Sequence, residues 1–167
     1  MFYFNVQTTN FSSIAMNISN RLISRLYLES PSIPEEGVAL LRCLCEDPST
    51  AEMGIPIVRQ LVHRPAKQLI FLNVLLEMSS HEVESIRSEA LSYLSQLYDQ
   101  GILRRSIEEY ALMYLNFLLL DDPPALLYAP TKGRTAPEDS SWSDELVKAC
   151  LYLFVKILPS NEKLIHK

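Results

Sequence analysis

Three histidines, three cysteines and a Lys-Gly-Arg turn are the residues in this chain whose types most readily do chemistry. His63, His81 and His166 stand far apart. None has a second histidine at the H-E-x-x-H or H-x-x-x-H spacing that sets two imidazoles on one helix face for a metal. Cys43, Cys45 and Cys150 are odd in number, form no C-x-x-C pair and sit among leucines. That pattern reads as core thiols in a reducing compartment rather than as a redox or metal site. Lys132-Gly133-Arg134 lacks the upstream glycine and following Ser/Thr of a phosphate loop, and no G-x-S-x-G nucleophile turn occurs. Most carboxylates fall at helix starts, where capping and the helix dipole account for them. The expectation is a protein that is not an enzyme, with no catalytic, metal or cofactor residues.

One pair resists so plain a reading. Arg104 and Arg105 fall in the first turn of an expected helix, where a positive charge faces the positive end of the dipole. Glu108 and Glu109 stand four residues on and offset it, although acid C-terminal to base is the weaker orientation. Arg104 and Arg105 are therefore the candidate contact for an acidic partner, at the turn between the fifth and sixth helices. A solvated surface pair is the alternative.

The elements that position these residues are read as helices throughout. In 167 residues, 48% apolar, there are only 4 glycines. That leaves few of the tight turns a β-rich or doubly wound fold needs. Net charge is −5, from 20 acidic and 15 basic residues, which argues against direct RNA contact as a global property. The start, MFYFNVQTTN, has no charged region and no sustained apolar core, so it does not read as a secretory signal. The Asn10 and Asn17 sequons are then chance matches. The longest apolar runs, such as residues 112–120, fall well short of the roughly 18–20 residues of a membrane span.

Residues 13–28 place Ile14, Ile18, Leu22 and Leu26 four apart, with Ile23 and Tyr27 beside them. Ser32-x-x-Glu35 reads as a capping box opening a second helix on Val38, Leu41, Leu44 and Cys45. Ser49-x-x-Glu52 opens a third on Met53, Val58, Leu61 and Val62, and Pro65 suits the first turn of a fourth, QLIFLNVLLEM. Ser79-x-x-Glu82, with a Met78–Val83 staple, opens the fifth on Val83, Ile86, Ala90, Leu94 and Leu97, which Gly101 ends. The sixth runs over Ile107, Tyr110, Ala111, Tyr114, Leu115 and Leu118. A proline-rich loop at 121–141 follows, read either as a contact site or as a tolerated surface insertion. Ser143 caps the seventh helix, with Trp142 stapled on Val147. Its apolar residues, Leu146 to Leu158, spread over more than one face and need cover on two sides. Asn161-Glu-Lys-Leu-Ile-His-Lys167 reads as the opening of an eighth helix, cut off within two turns. Leu164 and Ile165 would then be partly exposed.

Helix pairs joined by short connectors give an all-α fold, a HEAT-like helical-repeat (α-solenoid) segment of about seven helices plus a truncated eighth. Residues 1–29 form an N-terminal helical segment, and 30–167 the repeat region. IRSEALSYLSQL resembles a HEAT-repeat A helix through Ile86, Arg87, Ala90, Leu91 and Leu94. In such a unit Ala90 lets the paired helix approach, and Arg87 points along the ridge toward an acidic neighbour.

Residues 81–128, HEVESIRSEALSYLSQLYDQGILRRSIEEYALMYLNFLLLDDPPALLY, and the run WSDELVKACLYLFVKILPSNEKLIHK together resemble the symplekin family. The closest match is W-[ST]-x-E-x-V-K-x-C-L-Y-L and then L-P-x-N-x-K-L-I-H. It is met by Trp142, Ser143, Glu145, Val147, Lys148, Cys150, Leu151, Tyr152 and Leu153, then by Leu158, Pro159, Asn161, Lys163, Leu164, Ile165 and His166. The resemblance covers about residues 30–167 and implies a middle-to-C-terminal segment of a much longer protein. It implies a non-catalytic scaffold of pre-mRNA cleavage and polyadenylation, also serving histone pre-mRNA cleavage. Subunits of the cleavage and polyadenylation specificity factor and of the cleavage stimulation factor would be its partners. Location would be nuclear, with cytoplasm or cell junction as the alternative. The competing readings are a helical-repeat surface that binds RNA directly and a generic interaction module such as a junctional plaque scaffold.

Overall fold

The computed structural model describes residues 18–129, 132–134, 141–161 and 164–165. Ile14, Pro130, Pro137, Lys163 and His166, with the expectations resting on them, lie outside these. The described residues are helical, with no strand. They form α1 (18–29), α2 (Glu35–Glu46), α3 (Ala51–Leu61), α4 (Gln68–Met78), α5 (Glu84–Asp99), α6 (Arg104–Phe117) and α7 (Asp144–Ile157). Short 3-10 turns lie at Ala125–Tyr128 and Leu158–Ser160.

From α2 to α7 each helix packs on the next, and α2 also meets α4, α3 meets α5, and α5 meets α7. Thus α3, α5 and α7 lie in one row and α2 and α4 in another, while α6 packs chiefly on α7. An arginine bridges each of the three same-row contacts. Arg42 pairs with Glu77 from α2 to α4. Arg59 stacks over Tyr93 at 4.3 Å and donates to Gln96 from α3 to α5. Arg87 stacks over Tyr152 at 4.5 Å from α5 to α7. Arg87 therefore does not reach along a ridge to an acid; its planar guanidinium lies on a tyrosine face instead.

α4 buries Phe71, Leu72, Val74, Leu75, Leu76 and Met78, spread round its axis. Burial on so many sides suits a helix flanked by both rows. α7, expected to need cover on two sides, packs on both α5 and α6, burying Leu146, Ala149, Cys150, Leu153 and Ile157 and leaving Val155 exposed. α2 and α3 touch most closely at Gly54. A Cβ there would stand 2.9 Å from the backbone of Leu44 and Cys45, so only glycine fits without moving α2.

Several helix starts differ from expectation. α2 begins after Pro34, α3 after Thr50 and α5 after Val83, none with a side-chain cap bond. The three Ser-x-x-Glu boxes do not form, and in two of them other partners take the serine. Ser49 turns to Asp47, and Ser79 donates to the Leu76 carbonyl at the end of α4. Pro65 lies in the connector ahead of α4, whose N-cap Lys67 is left-handed at φ 63°. By contrast Ser143 does cap α7, accepting from the Leu146 N–H at 3.3 Å. Gly101, at φ +77°, ends α5 in a Schellman turn. Ile102 N–H donates to Leu97 O and Gly101 N–H to Tyr98 O.

Three burial expectations are corrected. Ile18, Leu22 and Leu26 share a face of α1, but it points outward, at 55%, 61% and 71% exposure. The inward stripe is Ile23 and Tyr27, because the Tyr27 hydroxyl reaches the Gly37 carbonyl at 2.8 Å while its ring joins the core. Cys43 is exposed, so only Cys45 and Cys150 are core thiols, their pKa pushed by burial to about 12 and about 11. Finally, Leu164 is already in the core at 2% exposure while Ile165 is 64% exposed. After Leu158–Ser160 the chain turns so that Asn161 accepts from Leu164 N–H, rather than continuing as a helix through 161.

Candidate functional site

The 121–141 loop is anchored at its described positions. Leu127 in its 3-10 turn is fully buried with Tyr114, Leu146 and Cys150 in a second, smaller core. Trp142 packs on this cluster and donates its indole N–H to Leu120 O at 3.0 Å. Lys132 is 1% exposed. Its ammonium donates to the Glu77 carbonyl at 2.6 Å and to the Tyr110 hydroxyl at 3.3 Å, and lies over the Tyr114 ring at 5.6 Å. The Glu77 carbonyl is among the last four of α4, so the cation sits where the dipole is negative. Burial nevertheless pulls the Lys132 pKa down to about 7, against the opposing pull of Glu77.

The same loop strand closes over the turn from α4 to α5. The Lys132 carbonyl accepts from Glu82 N–H at 2.9 Å. Gly133, at φ +70°, passes His81 so closely that a Cβ would stand 2.9 Å from its Cε1. His81 is 2% exposed, and its Nδ1 accepts from Val83 N–H at 3.0 Å, which requires that nitrogen unprotonated. Burial, then Arg134, Lys132 and Arg87, push the His81 pKa down to about 4. His81 is thus a neutral structural residue at physiological pH.

Arg104 and Arg105, the pair singled out from sequence, do different things. Arg104 donates from Nε and Nη2 to the Tyr98 carbonyl at 3.3 and 3.1 Å and stacks over the Tyr98 ring at 4.8 Å. It caps the C-terminal end of α5, which offsets its poor position at the start of α6. Arg105 forms an exposed pair with Glu109 at 2.7 Å. Glu108 turns inward. It is 8% exposed and accepts from Tyr98 OH at 2.7 Å and Asn161 Nδ2 at 3.1 Å.

On the outer side of the loop lies a cavity of about 400 Å³ lined by Glu82, Arg87, Arg134, Glu145, Lys148 and Tyr152. Arg87 is committed within the fold, since its Nη1 donates to the His81 and Glu82 carbonyls, each at 2.8 Å. Arg134 Nη1 is buried with no hydrogen-bond partner among the described residues. No periodicity signals this cavity, because its residues come from a turn, the start of α5, a loop and one flank of α7. Two sequence features touch it: the Lys132-Gly133-Arg134 turn, which does not build a phosphate loop, through Arg134, and the run that starts at Trp142 through Glu145, Lys148 and Tyr152.

Among the described residues no group of three His, Cys, Asp or Glu side chains is placed to hold a metal ion. No helix among them is long and apolar enough to cross a membrane. No protein-family model matches this chain, and no solved structure matches it.

Proposed function

We propose that this chain is a non-catalytic, HEAT-like scaffold segment of the symplekin type, acting in nuclear pre-mRNA cleavage and polyadenylation and in histone pre-mRNA cleavage. Its partners on this reading are subunits of the cleavage and polyadenylation specificity factor and of the cleavage stimulation factor. The observation that carries the reading is where the residues of the C-terminal resemblance stand. Ser143, Cys150, Leu153, Asn161 and Leu164 cap, pack or bond within the fold. Glu145, Lys148 and Tyr152 are not buried, and all three line one cavity. Three outward residues of the run, all from α7, thus gather at one place, as a protein-contact surface requires. Two rows of helices and an outward apolar ridge on α1 support the same reading.

RNA binding draws no comparable support. The tyrosines that arginines accompany are stacked on within the chain, at Tyr93, Tyr98 and Tyr152, and the net charge is −5. The test is immobilised chain against each purified processing subunit. At least one is expected to bind, and Lys148→Glu is expected to weaken it without lowering the unfolding midpoint. If no subunit binds, while a gel shift at moderate salt shows tight RNA binding, the RNA reading replaces this one.

A further inference from the structure

We propose that the cavity between the loop and α7 is a carboxylate-binding pocket, taking an Asp or Glu side chain or a chain-terminal carboxylate from a protein partner. This rests on the scaffold reading and specifies the chemistry of the partner. Three cations and two carboxylates line the cavity: Arg87, Arg134 and Lys148 against Glu82 and Glu145. Its walls therefore carry one net positive charge. A monoanion neutralises that charge, whereas a phosphate dianion would leave an excess of negative charge beside two glutamates.

The donors are unequally free. Arg87 is held by two carbonyls and by the Tyr152 face, so it shapes the wall. Arg134 keeps a buried Nη1 without a partner among the described residues, a defect that an acceptor entering the cavity would remove. Burial also lowers the Arg134 pKa from its ordinary value, a sign that the guanidinium is desolvated. A guanidinium in that state offers a planar fork that matches a carboxylate with two parallel hydrogen bonds. Lys148 is exposed on α7 and supplies a second charge at the mouth. The volume admits one side chain or chain end, not a helix.

The test uses the full chain in low salt and three probes: a short blocked peptide of Ser and Glu, a neutral Gly-Ser peptide with a free C-terminus, and inorganic phosphate. Calorimetry is expected to show binding of the first or the second, which identifies side chain or chain end as the source. Arg134→Gln and Lys148→Gln are each expected to weaken that binding roughly tenfold or more, with the unfolding midpoint unchanged. If Arg134→Gln fails to fold, Lys148→Gln decides alone, since that side chain is exposed. The pocket is overturned if neither peptide binds at about 1 mM, if the variants bind as tightly as the parent, or if phosphate binds as well as the peptides. Should the variants lose the carboxylate peptide yet keep every processing subunit at parental affinity, the pocket does not serve the scaffold and the inference fails while that reading stands. If the peptide binds and no subunit does, the scaffold reading fails instead.

Discussion

Around Leu72, Leu75 and Met78 the interior is apolar, and every one of those side chains is fully buried. On the α6 side the interior is wired by polar groups: Lys132 on the Glu77 carbonyl, His81 on Val83 N–H, and Glu108 on Tyr98 and Asn161. The first region is stabilised by area removed from water, which is non-directional and tolerates loosely specified neighbours. The second depends on each donor meeting its acceptor, because a buried polar group left unpaired costs about 1–3 kcal/mol. Helices α2–α5 therefore hold their shape by bulk, and the α6–loop–α7 side holds a particular geometry. A geometry of that kind is what a binding surface needs.

The largest effect should come from the apolar side. Leu75→Ala is expected to cost about 2–5 kcal/mol of unfolding free energy in urea, through lost transfer energy and a cavity. Next, the polar side should respond to pH. His81 has a folded pKa of about 4 against an ordinary 6.5, so between those values the unfolded chain binds more protons. Stability from this group is present above pH 6.5 and lost as pH falls toward 4, by up to about 3 kcal/mol. His81→Asn, which retains an acceptor for Val83 N–H, should flatten that limb of the stability profile. Lys132 acts in the same sense at higher pH. Its folded pKa of about 7 lies below 10.5, so stability should rise across that window.

Smaller effects separate the two regions further. Tyr98→Phe removes the hydroxyl that joins Glu108 and Asn161, and is expected to cost about 1–2 kcal/mol in thermal or urea unfolding. Arg105→Ala breaks only an exposed pair and should leave the unfolding midpoint unchanged.

The same contrast explains what was legible in the sequence. Apolar spacing together with turn and capping signals located the seven α-helices of the described residues, and the QLIFLNVLLEM segment, placed by Pro65, coincides with α4 residue for residue. Apolar spacing places residues on a common face but does not say which face turns inward, so Ile18, Leu22 and Leu26 were expected inside and point out. The Ser-x-x-Glu spacing likewise records a possible bond, and Ser79 instead satisfies a carbonyl of the helix before it. Arg104 showed itself as an anomaly at a helix start, but its partner, the Tyr98 carbonyl, belongs to the preceding helix end. Lys132 and Arg134 were visible only as a turn in an aperiodic loop. Their burial follows from where the loop lands on α4 and α6, which no local pattern encodes.

The most direct measurement is residue-resolved amide exchange on the parent chain and on Lys132→Ala. Glu82 N–H bonds to the Lys132 carbonyl and Val83 N–H to His81, so both report whether the loop is seated. Removing the Lys132 ammonium is expected to speed exchange at Glu82 and Val83 while amides within α3 and α4 keep their protection. Unchanged exchange at Glu82 and Val83, or an equal acceleration throughout α3 and α4, would contradict a loop-built polar seam distinct from the apolar core.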